Sequence, residues 1–178
     1  MNPIATSRLR LIPATADLVR LEIENPDAFF GHLEVESTCD WPSESLADAL
    51  PHFLERLESD PSSVGWLAWY WVHKTPRSSQ LIGGGGFKGA PEDGTVEIGY
   101  ETRAGFRRQG FATEAMRALV SWALGHPEVE CVVAEIRFDN SGSLAVLGKL
   151  GFSQVGLGSD VDLLRFERRI TGAERIVK

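Results

Sequence analysis

The 178-residue chain contains only two cysteines, Cys39 and Cys131. They lie far apart, in no CxxC spacing and with no accompanying histidine arrangement, so neither a disulfide framework nor a zinc site is expected. Both are read as reduced structural thiols, and no metal is assigned. Long hydrophobic runs are also missing: no segment approaches eighteen continuous apolar residues, and Met1 to Pro13 carries Arg8 and Arg10 without an apolar h-region. The expectation is a cytoplasmic protein without a membrane partner. Positive charge is scarce, with 18 Lys and Arg against 25 Asp and Glu and a net charge of -7. Such a surface repels nucleic acid and anionic lipid, so no direct nucleic-acid binding is expected, and any polyanionic ligand needs a local basic site. With no internal repeat or low-complexity linker, the length fits one domain, residues 1–170, followed by a loosely held C-terminal tail, 171–178.

What is present reads as alternating strands and helices. Ser7 to Ile12 alternates arginine with leucine, the period of a half-buried strand, and Pro13 ends it. Thr15 or Asp17 can cap a helix through Leu18, Val19 and Leu21 that Asn25-Pro26 stops, and a short turn follows around Phe29, Phe30 and Leu33. Leu46, Ala49, Leu50, Phe53, Leu54 and Leu57 repeat at helical spacing, with Pro51 predicting a break. Trp66 to Val72 and Gln80 to Phe87 suit an antiparallel pair, Thr95 to Tyr100 a fourth strand, Thr113 to Leu124 a helix and Val132 to Phe138 a fifth strand. Asn140 or Ser141 caps a last helix that Gly151 ends, before two closing strands at 152–157 and 163–169. Gly83 to Gly86 opens no helix, so it marks a bulge or close backbone packing rather than a dinucleotide fingerprint. The four histidines form no metal or nucleophile constellation.

The segment Arg107-Arg108-Gln109-Gly110-Phe111-Ala112-Thr113 joins a strand to an amphipathic helix. The first amides of a helix have no internal acceptor and sit at the positive end of its dipole, so this junction suits a diphosphate. Gly110 lets the backbone approach closely, and the arginines supply the local charge that an acidic protein requires. A tight turn with solvated arginines would look the same in isolation. The wider pattern is more specific: R-x-x-G-x-A, then Asn140-x-x-Ser143, then Lys149-Leu150-Gly151-Phe152.

In these residues the chain resembles the GNAT superfamily of N-acetyltransferases from about Ser7 to Arg169. Val96-Glu97-Ile98-Gly99-Tyr100 with Thr113-Glu114-Ala115 is similar to the Rim-type branch that acetylates ribosomal-protein N-termini. The resemblance implies an α+β, three-layer fold with a mixed, mostly antiparallel central sheet of about seven strands and helices on both faces. It implies acetyl-CoA as cosubstrate, with Arg107 to Thr113 at the pyrophosphate, the backbone of Ile98, Gly99 and Tyr100 beside the pantetheine arm, and Asn140 and Ser143 near the pantetheine or the departing sulfur. A backbone amide in the 98–100 stretch would bond the thioester carbonyl in the manner of an oxyanion hole. Lys149 is either a further cofactor contact or a partner of its helix dipole.

Two carboxylates are candidates for removing the amine proton: Glu97 in the fourth strand and Glu135 in the fifth. Either could instead be a structural ion-pair member, Glu135 with Arg137 for example. Leu147 stands where many family members carry a tyrosine that protonates the leaving thiolate, and Ser143 is the nearest replacement. Trp41, on the connection between the first two helical regions, is the aromatic assigned to the acceptor groove. The acceptor is a protein N-terminus or a small amine such as a metabolite or antibiotic, with a non-catalytic acyl-CoA-binding module as the remaining alternative. Monomer and homodimer are both open.

Overall fold

The computed structural model describes residues 1–75 and 78–171. The tail expected from Thr171 therefore lies, from residue 172 on, outside the described residues. One eight-stranded sheet organises the chain: β1 (Ile4–Ala5), β2 (Leu9–Pro13), β3 (Ala68–Lys74), β4 (Ser79–Phe87), β5 (Thr95–Thr102), β6 (Cys131–Arg137), β7 (Ser153–Leu157) and β8 (Leu163–Arg169). Its spatial order is β1-β2-β3-β4-β5-β6-β8-β7. Every neighbouring pair is antiparallel except β5 and β6, which are parallel and joined through a crossover helix. The two-residue β1 brings the count to eight.

Helices α1 (Ala16–Glu24), α2 (Pro26–Leu33) and α3 (Glu44–Ser59) cover one face; α4 (Phe111–Leu124) and α5 (Ser141–Lys149) cover the other. Alternation along β3 feeds both cores. Trp69 and Trp71 pack with Met116, Leu119 and Leu147 on the α4 side, whereas Tyr70 packs with Phe29, Leu33 and Leu57 on the α1 to α3 side. Trp69 and Trp71 are fully buried, and truncating such a ring to alanine costs about 3 to 5 kcal/mol.

Three local departures from expectation have simple causes. The residues around Phe29 and Phe30 form a full helix, because Asn25, which ends α1, also accepts from the Ala28 amide and Pro26 takes the first helical position. Helix α3 runs unbroken through Pro51. Ala47, whose carbonyl loses its amide partner to the proline, and Pro51 are both exposed, so water can take the freed acceptor. β3 begins at Ala68 rather than Trp66, and the Trp66 ring instead packs on Phe87, Trp122 and His126.

Of the two alternatives expected for the glycine run of β4, close backbone packing belongs to the glycines, while the bulge falls just before them, at Ile82. The ladder with β3 shifts register between Trp71 and Val72, and a Cβ at Gly83, Gly85 or Gly86 would collide with neighbouring backbone.

Candidate active site

The parallel pairing of β5 with β6 covers only Thr95, Val96 and Glu97 against Cys131, Val132 and Val133. Beyond that point the strands diverge. β6 remains paired with β8 along its whole length, Cys131 to Arg137, while β5 continues to Thr102 along β4. From Ile98 onward β5 therefore has one edge without a strand partner, and the opening lies beside the loop that starts α4.

That loop has the anion-binding form. Gly110 is the N-cap of α4 with φ of 82°, Arg108 is also left-handed with φ of 60°, and no side chain caps the helix. The Glu114 amide is bonded to the Gly110 carbonyl, leaving the amides of Phe111, Ala112 and Thr113 as the free first turn. Glu114, an acidic residue in that turn, would compete with an anion, but it is held away. It accepts from the Thr6 hydroxyl at 2.6 Å, the Arg8 amide at 2.8 Å and the Arg8 guanidinium at 2.6 Å. Burial raises the Glu114 pKa, yet the bonds from Thr6 and Arg8 outweigh it and leave the carboxyl below its ordinary value. Arg8 also donates to the Gln109 carbonyl at 3.1 Å and lies 4.2 Å over the Phe111 ring.

A groove of about 580 Å³ follows, lined by Arg107, Arg108, Gly110 to Thr113, Asn140, Ser143 and Lys149, and by Tyr100 to Thr102 of β5. Asn140 caps α5 by accepting from the Ser143 amide at 3.0 Å, which sets both residues at the groove wall.

On the opposite face, between α3 and the middle of the sheet, lies a second cleft of about 580 Å³. Trp41, Leu46, Leu50, Phe53 and Tyr70 make its wall largely apolar, Gly84, Gly85, Gly86 and Gly99 form its floor, and Ser45, His52, Arg56 and Lys88 add polar groups to the lining. Tyr100 and Glu101, beyond the last β5–β6 pair at Glu97, line both the groove and the cleft, so the two adjoin across this stretch of β5. The Tyr100 hydroxyl donates to the Ser143 carbonyl at 3.3 Å, and burial raises its pKa, so the phenol is protonated near neutral pH. The Ser43 hydroxyl donates to Glu101 at 2.6 Å.

The structure thus brings together Gly99, Tyr100, Arg107, Arg108, Gly110, Phe111, Ala112, Thr113, Asn140, Ser143 and Trp41 around the joined cavities. Ile98 is buried in the core, and Gln109 lies outside the groove lining, donating to the Gly105 carbonyl at 2.9 Å. Glu97 and Glu135 line neither cavity. Glu97 is ion-paired with Lys88. Glu135 accepts from the Ser159 hydroxyl at 2.6 Å and amide at 3.0 Å and pairs with Arg165 at 3.6 Å, rather than with Arg137. The Ser159 bonds hold its pKa below the ordinary value. Leu147 is fully buried in the core.

Sequence reasoning missed Glu101, Tyr100 as a side chain, and Glu22, a buried carboxyl behind the cleft wall. For Glu101 a signal existed: it shares strand parity with Glu97 and Gly99, two residues nearer the loop. Among the described residues no cluster of three or more His, Cys, Asp or Glu could hold a metal, and no helix is long and apolar enough to cross a membrane.

The acetyltransferase (GNAT) domain model matches residues 8–153, most of the chain. The chain belongs to the GNAT acetyltransferase family. An uncharacterized N-acetyltransferase of Bacillus subtilis (strain 168), YjdG, is 34% identical over 150 residues, covering 84% of this chain and 88% of that protein. Among solved structures, the ribosomal L7/L12 α-N-protein acetyltransferase RimL in complex with coenzyme A matches with a TM-score of 0.64 at 18% identity, covering 95% of this chain and 98% of the other. Mycobacterium smegmatis RimJ in complex with a CoA-disulfide matches with a TM-score of 0.63 at 18% identity, covering 99% and 96%. At these identities the two structures establish a shared fold. GNAT membership makes this chain an acyltransferase.

Proposed function

We propose that the chain transfers the acetyl group of acetyl-CoA to a primary amine by direct attack, with the α-amine of a polypeptide N-terminus as the leading acceptor. The observation that carries this reading is the meeting of groove and cleft at Tyr100 and Glu101. A cofactor laid with its diphosphate on the amides of 111–113 and its arm along the open edge of β5 would present its thioester to the cleft. Support for a protein acceptor comes from the fold shared with RimL, an α-N-protein acetyltransferase by its description.

The ammonium first gives a proton to a carboxylate through water, the neutral amine nitrogen then bonds to the thioester carbon, and as the C–S bond breaks the second nitrogen proton passes to the departing sulfur, leaving the amide and the free thiol. A free β5 amide would bond the carbonyl oxygen as it gains charge. Glu101 is the proposed base, since it lines both cavities. Glu97 and Glu135 are the other candidates, and the depressed pKa of Glu135 makes it the weaker acceptor of a proton. Ser143, on the groove wall, is proposed to contact the cofactor near the departing sulfur.

Thiol release monitored against a panel of peptides and small amines tests the transfer. Glu101→Gln should keep acetyl-CoA binding and lose about ten- to a hundredfold in turnover near neutral pH, partly rescued by raising the pH, with Glu97→Gln and Glu135→Gln affected less. A parental pH-rate profile in Glu101→Gln, with chemistry rate-limiting, rejects it as the base. Turnover of small amines alone favours a small-molecule acceptor. Binding of acetyl-CoA with no turnover on any amine leaves a binding module.

A further inference from the structure

One face of α1 carries a residue out of keeping with its surroundings. Glu22 is 4% exposed and sits behind Leu18 and Val19, where helical periodicity calls for an apolar side chain. A carboxyl there is tolerated only if it is bonded, and both oxygens are. Oε1 accepts from the indole Nε1 of Trp41 at 2.8 Å, and Oε2 accepts from the Tyr70 hydroxyl at 2.5 Å. Both aromatic residues line the acceptor cleft, while Glu22 itself does not.

Trp41 lies on the irregular connection between α2 and α3, so no helix or strand orients its ring. Two contacts do. Glu22 holds the indole nitrogen, and Gly84 lies beneath the far edge of the ring, where a Cβ would come within 3.0 Å of the Trp41 Cη2 atom. The cleft wall so formed is apolar. Against that wall a polar acceptor group would lose its water and gain no bond from the Trp41 ring, whereas an apolar group gains by leaving water. The polar lining residues Ser45 and His52 are exposed on α3, away from the buried wall. Glu101, at the junction with the groove, supplies the negative charge for the ammonium end. At the other end Arg56 donates to the Lys88 carbonyl at 2.9 Å, and Lys88 pairs with Glu97.

We propose that the acceptor carries its amine on a bulky apolar group, and that Trp41, fixed from behind by Glu22, is the wall that selects it. The inference rests on the acetyl-transfer reading for its reaction, and it makes Glu22 a positioning residue. The shared chemistry is an amine on an aromatic or branched aliphatic body, whether the first residue of a peptide or a small molecule.

Two matched sets separate the sources: peptides that differ only in beginning with Phe, Leu, Ser or Gly, and phenethylamine against ethanolamine. The apolar members should exceed the polar members in kcat/KM by at least about tenfold in whichever set is used. Glu22→Leu should raise the KM for apolar acceptors by about tenfold, the scale of one misplaced pocket contact, while leaving the acetyl-CoA KM and kcat near the parent. Glu22→Gln should rescue the parental KM, since its carbonyl can accept from Trp41 and its amide can donate to the Tyr70 oxygen. Trp41→Ala should erase the preference, and it carries the test if Glu22→Leu does not fold. Polar acceptors used as well as apolar ones, or a preference that survives Trp41→Ala, overturns the assignment. Calorimetric binding of the same amines to the CoA-loaded protein reads the wall without turnover. Apolar amines that bind selectively yet are not acetylated reject the transfer reading and uphold the wall; equal binding of polar amines rejects the wall whatever is acetylated.

Discussion

Glu22 places a titratable group where its ionisation touches stability as well as shape. Burial pushes its pKa from 4.5 up to about 7, against the opposing bonds from Tyr70 and Trp41 and with a smaller contribution from the nearby charge of Glu101. In the folded chain the carboxyl stays protonated between roughly pH 4.5 and 7, while in the unfolded chain it has ionised. The folded state binds the extra proton across that window, so the contribution of Glu22 to stability falls as pH rises through it. A shift of this size corresponds to roughly 3 kcal/mol. Glu22→Gln removes the titration and keeps the hydrogen-bond pattern of the neutral acid. Its denaturation midpoint should be close to the parent at pH 5 and higher than the parent at pH 8, with the titrating groups that do not interact with Glu22 cancelling in the comparison. A variant that is less stable than the parent at pH 8 would mean that the two hydrogen bonds favour the carboxylate more than burial disfavours it.

Among the elements, those with a strong period or a strong cap were legible and those set by partners far away were not. The βαβ unit and the loop from Arg107 to Thr113 could be read because a glycine, two arginines and an amphipathic helix are all local signals. The course of α3 through Pro51 could not, since whether a proline breaks a helix depends on which face it occupies. Glu22 was illegible for a related reason: its partners Trp41 and Tyr70 lie on a connection and a strand that only the folded sheet brings to α1. The tie between β2 and α4 belongs to the same class, and it has a measurable consequence. The guanidinium of Arg8 keeps Glu114 off the first turn of α4. Arg8→Ala would release a negative charge beside the proposed diphosphate site, at the end of a helix where such terms are worth about 0.3 to 1 kcal/mol. Acetyl-CoA affinity should therefore weaken by about two- to fivefold, with partial recovery in the Arg8→Ala, Glu114→Ala double variant. Stability should change little, because the Arg8 side chain is 41% exposed and such pairs contribute about 0 to 1 kcal/mol. Equal affinity in parent and Arg8→Ala would show that Glu114 does not bear on the cofactor.

At the scale of the whole molecule, the sheet separates two cavities and joins them at one place. The groove is built from the α4 and α5 side and the cleft from the α1 to α3 side, and they share Tyr100 and Glu101 where β5 parts from β6. On the proposed reading, this arrangement would let both substrates be bound together, with no need for an acetyl group to be stored on the protein between them. The two cysteines are poorly placed for storage. Neither Cys39 nor Cys131 lines either cavity, and burial raises the Cys131 pKa, keeping its sulfur as the less reactive thiol. The order of events follows from this geometry. Initial rates measured at several concentrations of acetyl-CoA and amine should give intersecting double-reciprocal lines, as a ternary complex requires, and Cys39→Ala and Cys131→Ala should each keep substantial turnover. Parallel lines, together with an acetylated cysteine that passes its acetyl group on to the amine, would establish a two-step route and remove the functional meaning of the shared junction. If the lines intersect but Tyr100→Phe and Glu101→Gln leave every rate unchanged, the amine must reach the thioester by another path, and the cleft beneath α3 is not where the acceptor binds.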